Sequence, residues 1–157
     1  MILYHGTNTD FQDIDLSRSF PYKDFGKGFC LTGIRDRAIL VARHKVCAFG
    51  GSVNVQEYLF DESNLRKDSL KVQFFNGISI DWAEFILRNR EQRSLQDYDY
   101  DIVAGPAVDD GVAFLINRYE SGAVTMREFI RILKNRNLDD QYYFKTPEAI
   151  SFLRRVK

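Results

Sequence analysis

Cysteine and histidine are both scarce in this chain of 157 residues, which has two of each: Cys30 and Cys47, His5 and His44. Two cysteines build no disulfide framework, and neither stands in a C-x-x-C pair. With so few sulfur and imidazole ligands no zinc cluster assembles at the usual spacings, and no metal site is expected. Net charge is lacking too, since 22 Lys and Arg balance 22 Asp and Glu. The balance holds in each half, with 10 basic and 9 acidic groups in residues 1–78 and 12 and 13 in the remainder. Without a charge excess the chain has no bulk field with which to grip nucleic acid or a membrane surface. Function must therefore come from a local site. Long apolar runs are missing as well, none approaching the ~20 residues of a membrane helix. The opening Met1-Ile2-Leu3-Tyr4-His5-Gly6 has no basic segment followed by an apolar stretch. No signal peptide is read there, and a cytoplasmic location away from membranes is expected. Proline is limited to three residues, and no repeat or linker divides the sequence. Residues 1–157 are expected to form a single domain.

What the chain does have is apolar and aromatic content, at 45% and 14%. That excludes intrinsic disorder, and at this length roughly two-thirds of the unfolded surface can be buried. Ile2-Leu3-Tyr4 reads as a strand entering the turn His5-Gly6-Thr7-Asn8, and residues 9–24 read as loop. Phe29–Thr32 is a second short strand. A helix over 34–48 puts Ala38, Val41, Ala42 and Lys45 on one face, and Gly50-Gly51 stops it. Ser52–Phe60 reads as a strand in which Val53, Val55, Glu57 and Leu59 alternate with polar neighbours, although Tyr58 and Phe60 cut across the pattern. Residues 70–75 lean towards strand, and Trp82, Phe85, Ile86 and Asn89 mark an amphipathic helix over 80–91. The run Asp97-Tyr98-Asp99-Tyr100-Asp101 reads as a surface loop before the strand Ile102–Pro106. Asp109 or Asp110 caps a helix facing inward through Val112, Leu115, Ile116 and Tyr119. Thr125 and Glu128 form a capping box for the next, with Met126, Phe129, Ile130 and Leu133 inside. A strand over 141–145 precedes a last helix opened by Thr146-Pro147 and burying Ala149, Phe152, Leu153 and Val156. Strands and helices mix without regular alternation, which predicts an α+β fold.

Three short segments carry chemistry. In Tyr4-His5-Gly6-Thr7, a histidine at a strand end can present a ring nitrogen while the glycine backbone approaches a ligand. The plainer alternative is a turn residue. In Asp24-Phe25-Gly26-Lys27-Gly28-Phe29-Cys30-Leu31-Thr32, two glycines flank a lysine before a strand and suit a phosphate, but neither nucleotide fingerprint, G-x-G-x-x-G nor G-x-x-x-x-G-K-[ST], is present. In Asp140-Gln141-Tyr142-Tyr143-Phe144, an amide opens an aromatic strand. Cys30 alone reads as a small buried strand residue, and His44 beside Arg43 and Lys45 as part of a solvated face. The basic groups Arg127, Arg131, Lys134, Arg154, Arg155 and Lys157 read as solvated faces as well.

Taken in order, the three segments resemble the ADP-ribosyltransferase superfamily, in the diphtheria-toxin and poly(ADP-ribose) polymerase class with its His-Tyr-Glu triad. Tyr4–Thr7, Asp24–Thr32, Tyr100–Asp110 and Gln141–Leu153 look most like a bacterial branch with the patterns Y-H-G-T, D-F-G-K-G-F-Y-L-T, D-I-V-x-G-P-x-A-D-D and Q-x-x-F-x-T-x-x-A-L-x-x-L. The resemblance implies a split antiparallel β-sheet core flanked by helices, and NAD as substrate. It implies that His5 donates to the nicotinamide-side ribose, that the Gly6 main chain holds the carboxamide, and that Thr7 lies towards the adenine. Gly28, Phe29 and Cys30 fall in the segment that walls the nicotinamide, and Gln141 falls where the triad has its glutamate. Two residues depart from the triad: Cys30 has neither ring nor phenol, and Gln141 cannot act as a base or offset positive charge. Phe25 or Phe29 is the candidate stacking surface, and Asp109 or Asp110 the candidate replacement carboxylate, with helix capping as their plainer role. On this reading the chain is a mono-ADP-ribosyltransferase acting on a protein or nucleic acid, with a toxin-like role and a small neutralising antitoxin partner. The alternatives are a degenerate module that binds NAD, ADP-ribose or a protein partner, and an NAD hydrolase.

Overall fold

A computed structural model describes residues 1–91 and 99–157. The elements in chain order are β1 (Ile2–Thr7), β2 (Phe29–Thr32), α1 (Arg35–Phe49), β3 (Asn54–Leu59), β4 (Val72–Phe74), α2 (Ile80–Arg90), β5 (Ile102–Pro106), α3 (Asp110–Glu120), α4 (Met126–Lys134), β6 (Asp140–Phe144), α5 (Pro147–Ile150) and β7 (Arg154–Arg155). The strands form one seven-stranded sheet in the order β4-β5-β6-β2-β1-β3-β7, and only the β4–β5 pair is parallel. The architecture is α+β. No described helix is long and apolar enough to cross a membrane.

Side-chain alternation divides the core. Val103 and Tyr143 face a cluster with Phe25, Trp82, Phe85, Val112, Ile116, Phe129 and Leu133, contributed mainly by α2, α3 and α4. Ile102 and Phe144, one residue along each strand, face Leu3, Phe29, Leu31, Tyr58, Phe60 and Ala149 on the other side. Helices α3 and α4 start where the sequence predicts caps, and α2 has a serine cap that the sequence reading did not name. Ser79 accepts from the Trp82 N–H, Asp109 from the Val112 N–H, and both bonds of the Thr125–Glu128 box are present.

Three expectations need correction. The buried side of β3 is Gln56 and Tyr58, continued by Phe60, while Val53 is exposed. Gln56 is tolerated there because every hydrogen-bonding arm has a partner: Nε2 donates to Asp10 Oδ1 and the Phe11 carbonyl, and Oε1 accepts from the Tyr58 hydroxyl. On α1, Ala38 and Ala42 are buried but Val41 faces solvent. The last helix is a single turn, because the edge of β3 competes for the chain beyond it: Val156 N–H donates to the Glu57 carbonyl and Glu57 N–H to that of Lys157. Phe152 and Leu153 still pack on the core, whereas Val156 is exposed. Of the acidic-aromatic run, residues 97 and 98 lie outside the described residues, and residues 99–101 form neither helix nor strand, as expected of a surface loop. Asp101 joins strands and α5: its carboxylate accepts from the Lys71 N–H at 2.8 Å and the Thr146 hydroxyl at 2.6 Å.

Candidate functional site

The sheet opens between β1 and β2. These strands share one register pair, Tyr4 with Thr32, whereas β1 pairs with β3 along its whole length. An antiparallel ladder continued from that pair would set His5 opposite Leu31 and Gly6 opposite Cys30, but the strands part there. His5 closes the gap with its side chain, Nδ1 lying 2.8 Å from the Cys30 carbonyl oxygen. A carbonyl only accepts, so Nδ1 carries the proton. Burial, then the positive charge of Lys45, lowers the His5 pKa to about 3, and the ring is neutral at ordinary pH. Its Nε2 is therefore a fixed acceptor. A ribose hydroxyl would donate to it, the reverse of the polarity the resemblance implies.

A cleft of about 490 Å³ opens at this seam. His5, Thr7, Gly28, Phe29 and Cys30 line it, together with Phe11, Lys23, Lys45, Phe20 and Phe49. The His5 ring stacks on Phe29 with centroids 4.3 Å apart, and Phe11 meets both edge-on. Phe11 belongs to the segment between β1 and β2, which is held from beneath. Gln56 and Arg155 both donate to the Phe11 carbonyl and to Asp10, so β3 and β7 anchor this side of the cleft.

On the opposite face of β2, Cys30 pairs in register with Tyr143, and Thr32 with Gln141. The Cys30 thiol donates to Gln141 Oε1 at 3.9 Å, and burial pushes it up to about 11, so it is a protonated, inert thiol at neutral pH. Gln141 Nε2 is buried with no hydrogen-bond partner among the described residues. An unsatisfied buried amide donor costs about 1–3 kcal/mol, and a water, an ion or a ligand group would satisfy it. Among the described residues no group of three or more His, Cys, Asp or Glu is placed to hold a metal ion.

A family model described as "Protein of unknown function (DUF3990)" matches residues 1–155. The chain belongs to that family. No curated protein and no solved structure matches it. In this DUF3990 chain the residues singled out in the sequence divide into two sets. Five of them, His5, Thr7, Gly28, Phe29 and Cys30, meet at the cleft; Gln141 does not line it, and its amide oxygen accepts from the Cys30 thiol. Three lie elsewhere. Phe25 is fully buried, edge-on to Tyr143 at 5.3 Å, so no face is left for stacking a ligand. Asp109 caps α3 and pairs with Arg136 at 3.0 Å. Gly6 packs against α1, with its carbonyl taken by Lys45 Nζ at 2.8 Å.

The glycine-lysine-glycine segment of the DUF3990 chain is a structural turn. Gly26 has φ +77°, which suits glycine, and its N–H donates to the Lys23 carbonyl. The Gly28 N–H is taken by the Ser19 hydroxyl at 2.9 Å. Sequence reasoning missed Phe11, Lys23 and Lys45 as site residues. For Lys45 a signal existed, a lysine on the inward face of an otherwise alanine-lined helix. Lys23 and Phe11 sit in a segment without periodicity, where nothing local marks them.

Proposed function

We propose that the protein is an NAD-dependent mono-ADP-ribosyltransferase acting on a macromolecular acceptor, its NAD site the cleft at the β1–β2 seam of a split, ADP-ribosyltransferase-like sheet. The observation that carries this reading is the convergence of His5, Thr7, Gly28, Phe29 and Cys30, from two segments distant in sequence, on one cleft of about 490 Å³. That volume suits a ligand of this class. Two further features support it: the sheet is joined across the seam by one register pair, and a buried amide donor stands unsatisfied behind the wall.

The reaction breaks the C–N glycosidic bond of NAD through an oxocarbenium-like state, releases neutral nicotinamide and joins the ribose carbon to an acceptor nucleophile. His5 Nε2 takes a ribose hydroxyl and fixes the sugar, while the stacked Phe29 and His5 rings exclude water from one side. Gln141 contributes an amide dipole, with no negative charge to balance the developing cation. Gln141→Glu is accordingly expected to raise the rate of nicotinamide release by about tenfold or more. The assay follows adenine-labelled NAD with the purified protein in a cell lysate. Nicotinamide release with label on protein or nucleic acid supports transfer, and release without label selects the hydrolase. Neither release nor labelling, in wild type or Gln141→Glu, overturns catalysis.

A second reading, a module that holds the nucleotide without turnover, is favoured by one observation: the wall at Cys30 and Gln141 offers a thiol and an amide where the triad has a phenol and a carboxylate. Calorimetric binding of NAD without nicotinamide release selects it.

A further inference from the structure

Two phenyl rings stand at the rim of the cleft with unused faces. Phe20, from the segment between β1 and β2, and Phe49, the last residue of α1, both line it. They are the two most exposed large hydrophobic side chains among the described residues, at 68% and 73%. Neither meets another ring or a cation among those residues. A single exposed apolar side chain is ordinary on a protein surface. Two aromatic rings brought to one concave site from separate segments are a binding feature.

Both rings are carried on anchored backbone. The Ser19 hydroxyl, one residue before Phe20, donates to the Gly28 carbonyl at 2.8 Å and accepts from the Gly28 N–H at 2.9 Å. Next to Phe49, the Gly50 N–H donates to the Val46 carbonyl at 2.8 Å, and the Gly50 carbonyl accepts from Asn8 Nδ2 at 3.0 Å. The Ser52 N–H donates to the Asn8 carbonyl at 2.9 Å, so the end of α1 is tied to the end of β1. Strand rise puts Asn8 about 10 Å from His5. The cleft therefore has two aromatic ends. At the seam His5, Phe29 and Phe11 pack on one another, and at the rim Phe20 and Phe49 leave their faces to solvent.

We infer that Phe20 and Phe49 form the seat of the adenine base, each ring giving it a stacking face. The inference rests on the nucleotide reading above and deepens it, by naming what holds the end of NAD away from the seam. NAD has two planar rings, and with nicotinamide at the His5–Phe29 wall the second is adenine. Stacking needs only a π-face, and a base stacked on an aromatic side chain gains about tenfold in affinity. An aliphatic residue of similar bulk offers no such face. ADP, which keeps the adenine and has no nicotinamide, binds through the rim alone.

The test is calorimetry with ADP and with carba-NAD, an analogue that cannot be cleaved, on wild type, Phe20→Leu, Phe49→Leu and Phe49→Trp. Both phenylalanines lie outside the two core clusters, so all four proteins are expected to unfold together in urea. Each leucine variant is expected to bind ADP about tenfold more weakly, whereas Phe49→Trp, which restores a π-face, keeps the wild-type affinity. ADP is also expected to change the fluorescence of the new indole, which is exposed where Trp82 is buried. Unchanged ADP affinity in a leucine variant overturns the assignment of that ring. Binding of carba-NAD without any of ADP overturns the seat and leaves the nucleotide reading standing. Self-association of the wild type that the leucine variants abolish and saturating ADP leaves intact overturns the seat too, since a second copy then covers the rings. Binding of neither ligand overturns both.

Discussion

Gly6→Ala is expected to destabilise the protein by about 3 kcal/mol or more, the largest effect of any single methyl group in the described structure. A β-carbon at position 6 would lie 1.9 Å from the Ala38 carbonyl oxygen and 2.9 Å from the Ala42 nitrogen. Both are backbone atoms of α1, so no side chain can swing aside. The helix has to lift away from β1, and the 2.8 Å bond from Lys45 to the Gly6 carbonyl goes with it. Since β1 supplies His5 and α1 supplies Lys45, the cleft deforms together with the packing. Gly33→Ala is the control, because a β-carbon there meets nothing within 4 Å. It is expected to stay within about 1 kcal/mol of wild type, through the entropy of the unfolded chain. Urea unfolding of the three proteins decides the matter. A Gly6→Ala variant as stable as Gly33→Ala would mean that α1 does not pack on β1 at this position.

The same glycine shows how far the sequence could be read. A glycine after the histidine signals a close backbone approach, and one exists, but to a helix of the same chain rather than to a ligand. Sequence pattern carries the need for space and is silent on what fills it. Local chemistry was legible where it acts within a few residues. The Thr125–Glu128 box, the Asp109 cap and the strand Ile102–Pro106 all stand where spacing and residue type put them. Long-range pairing was not legible. The chain after α5 keeps helical spacing in Phe152, Leu153 and Val156, yet β3 has free backbone groups on its edge and takes residues 154–157 as a partner. Likewise Gln56 and Tyr58 displace Val53 from the core side because Asp10, Phe11 and Gln56 complete one another's hydrogen bonds across the sheet. At the cleft, His5, Phe29 and Cys30 were found through short motifs whose members lie on two neighbouring strands. Lys23 and Phe11 escaped because a segment without periodicity is placed by its anchors, here Arg155 and Gln56, and not by its own sequence.

A neutral, half-buried His5 predicts acid sensitivity of a defined sign. In the unfolded chain the imidazole titrates near its ordinary value of 6.5, and in the folded protein near 3. Between those values the unfolded state binds a proton that the native state refuses. Stability therefore rises with pH across this window, and it is lost as pH falls from 6.5 towards 3. The loss is about 1.4 kcal/mol per pH unit, or about 2 kcal/mol by pH 5. His5→Leu removes the proton-binding site from both states. Its stability relative to wild type is thus expected to improve by about 2 kcal/mol between pH 7.5 and pH 5, whatever the offset at neutral pH. The range above pH 5 is the informative one, because Asp10, Asp15 and Asp61 are held below the usual carboxylate range and give up their stabilisation only in stronger acid. Parallel stability curves for the two proteins would show that His5 titrates normally and that its Nδ1 proton is not held by Cys30. The same neutrality governs ligand binding. On the nucleotide reading proposed above, a ring that stays uncharged from pH 5 upward gives the affinity no inflection near 6.5. His5→Ala, which removes both the Nε2 acceptor and the face stacked 4.3 Å from Phe29, is expected to weaken binding about a hundredfold at every pH in that range. An inflection near 6.5 in wild type that vanishes in His5→Ala would instead identify a charged histidine, and a cleft that recognises its ligand as a cation.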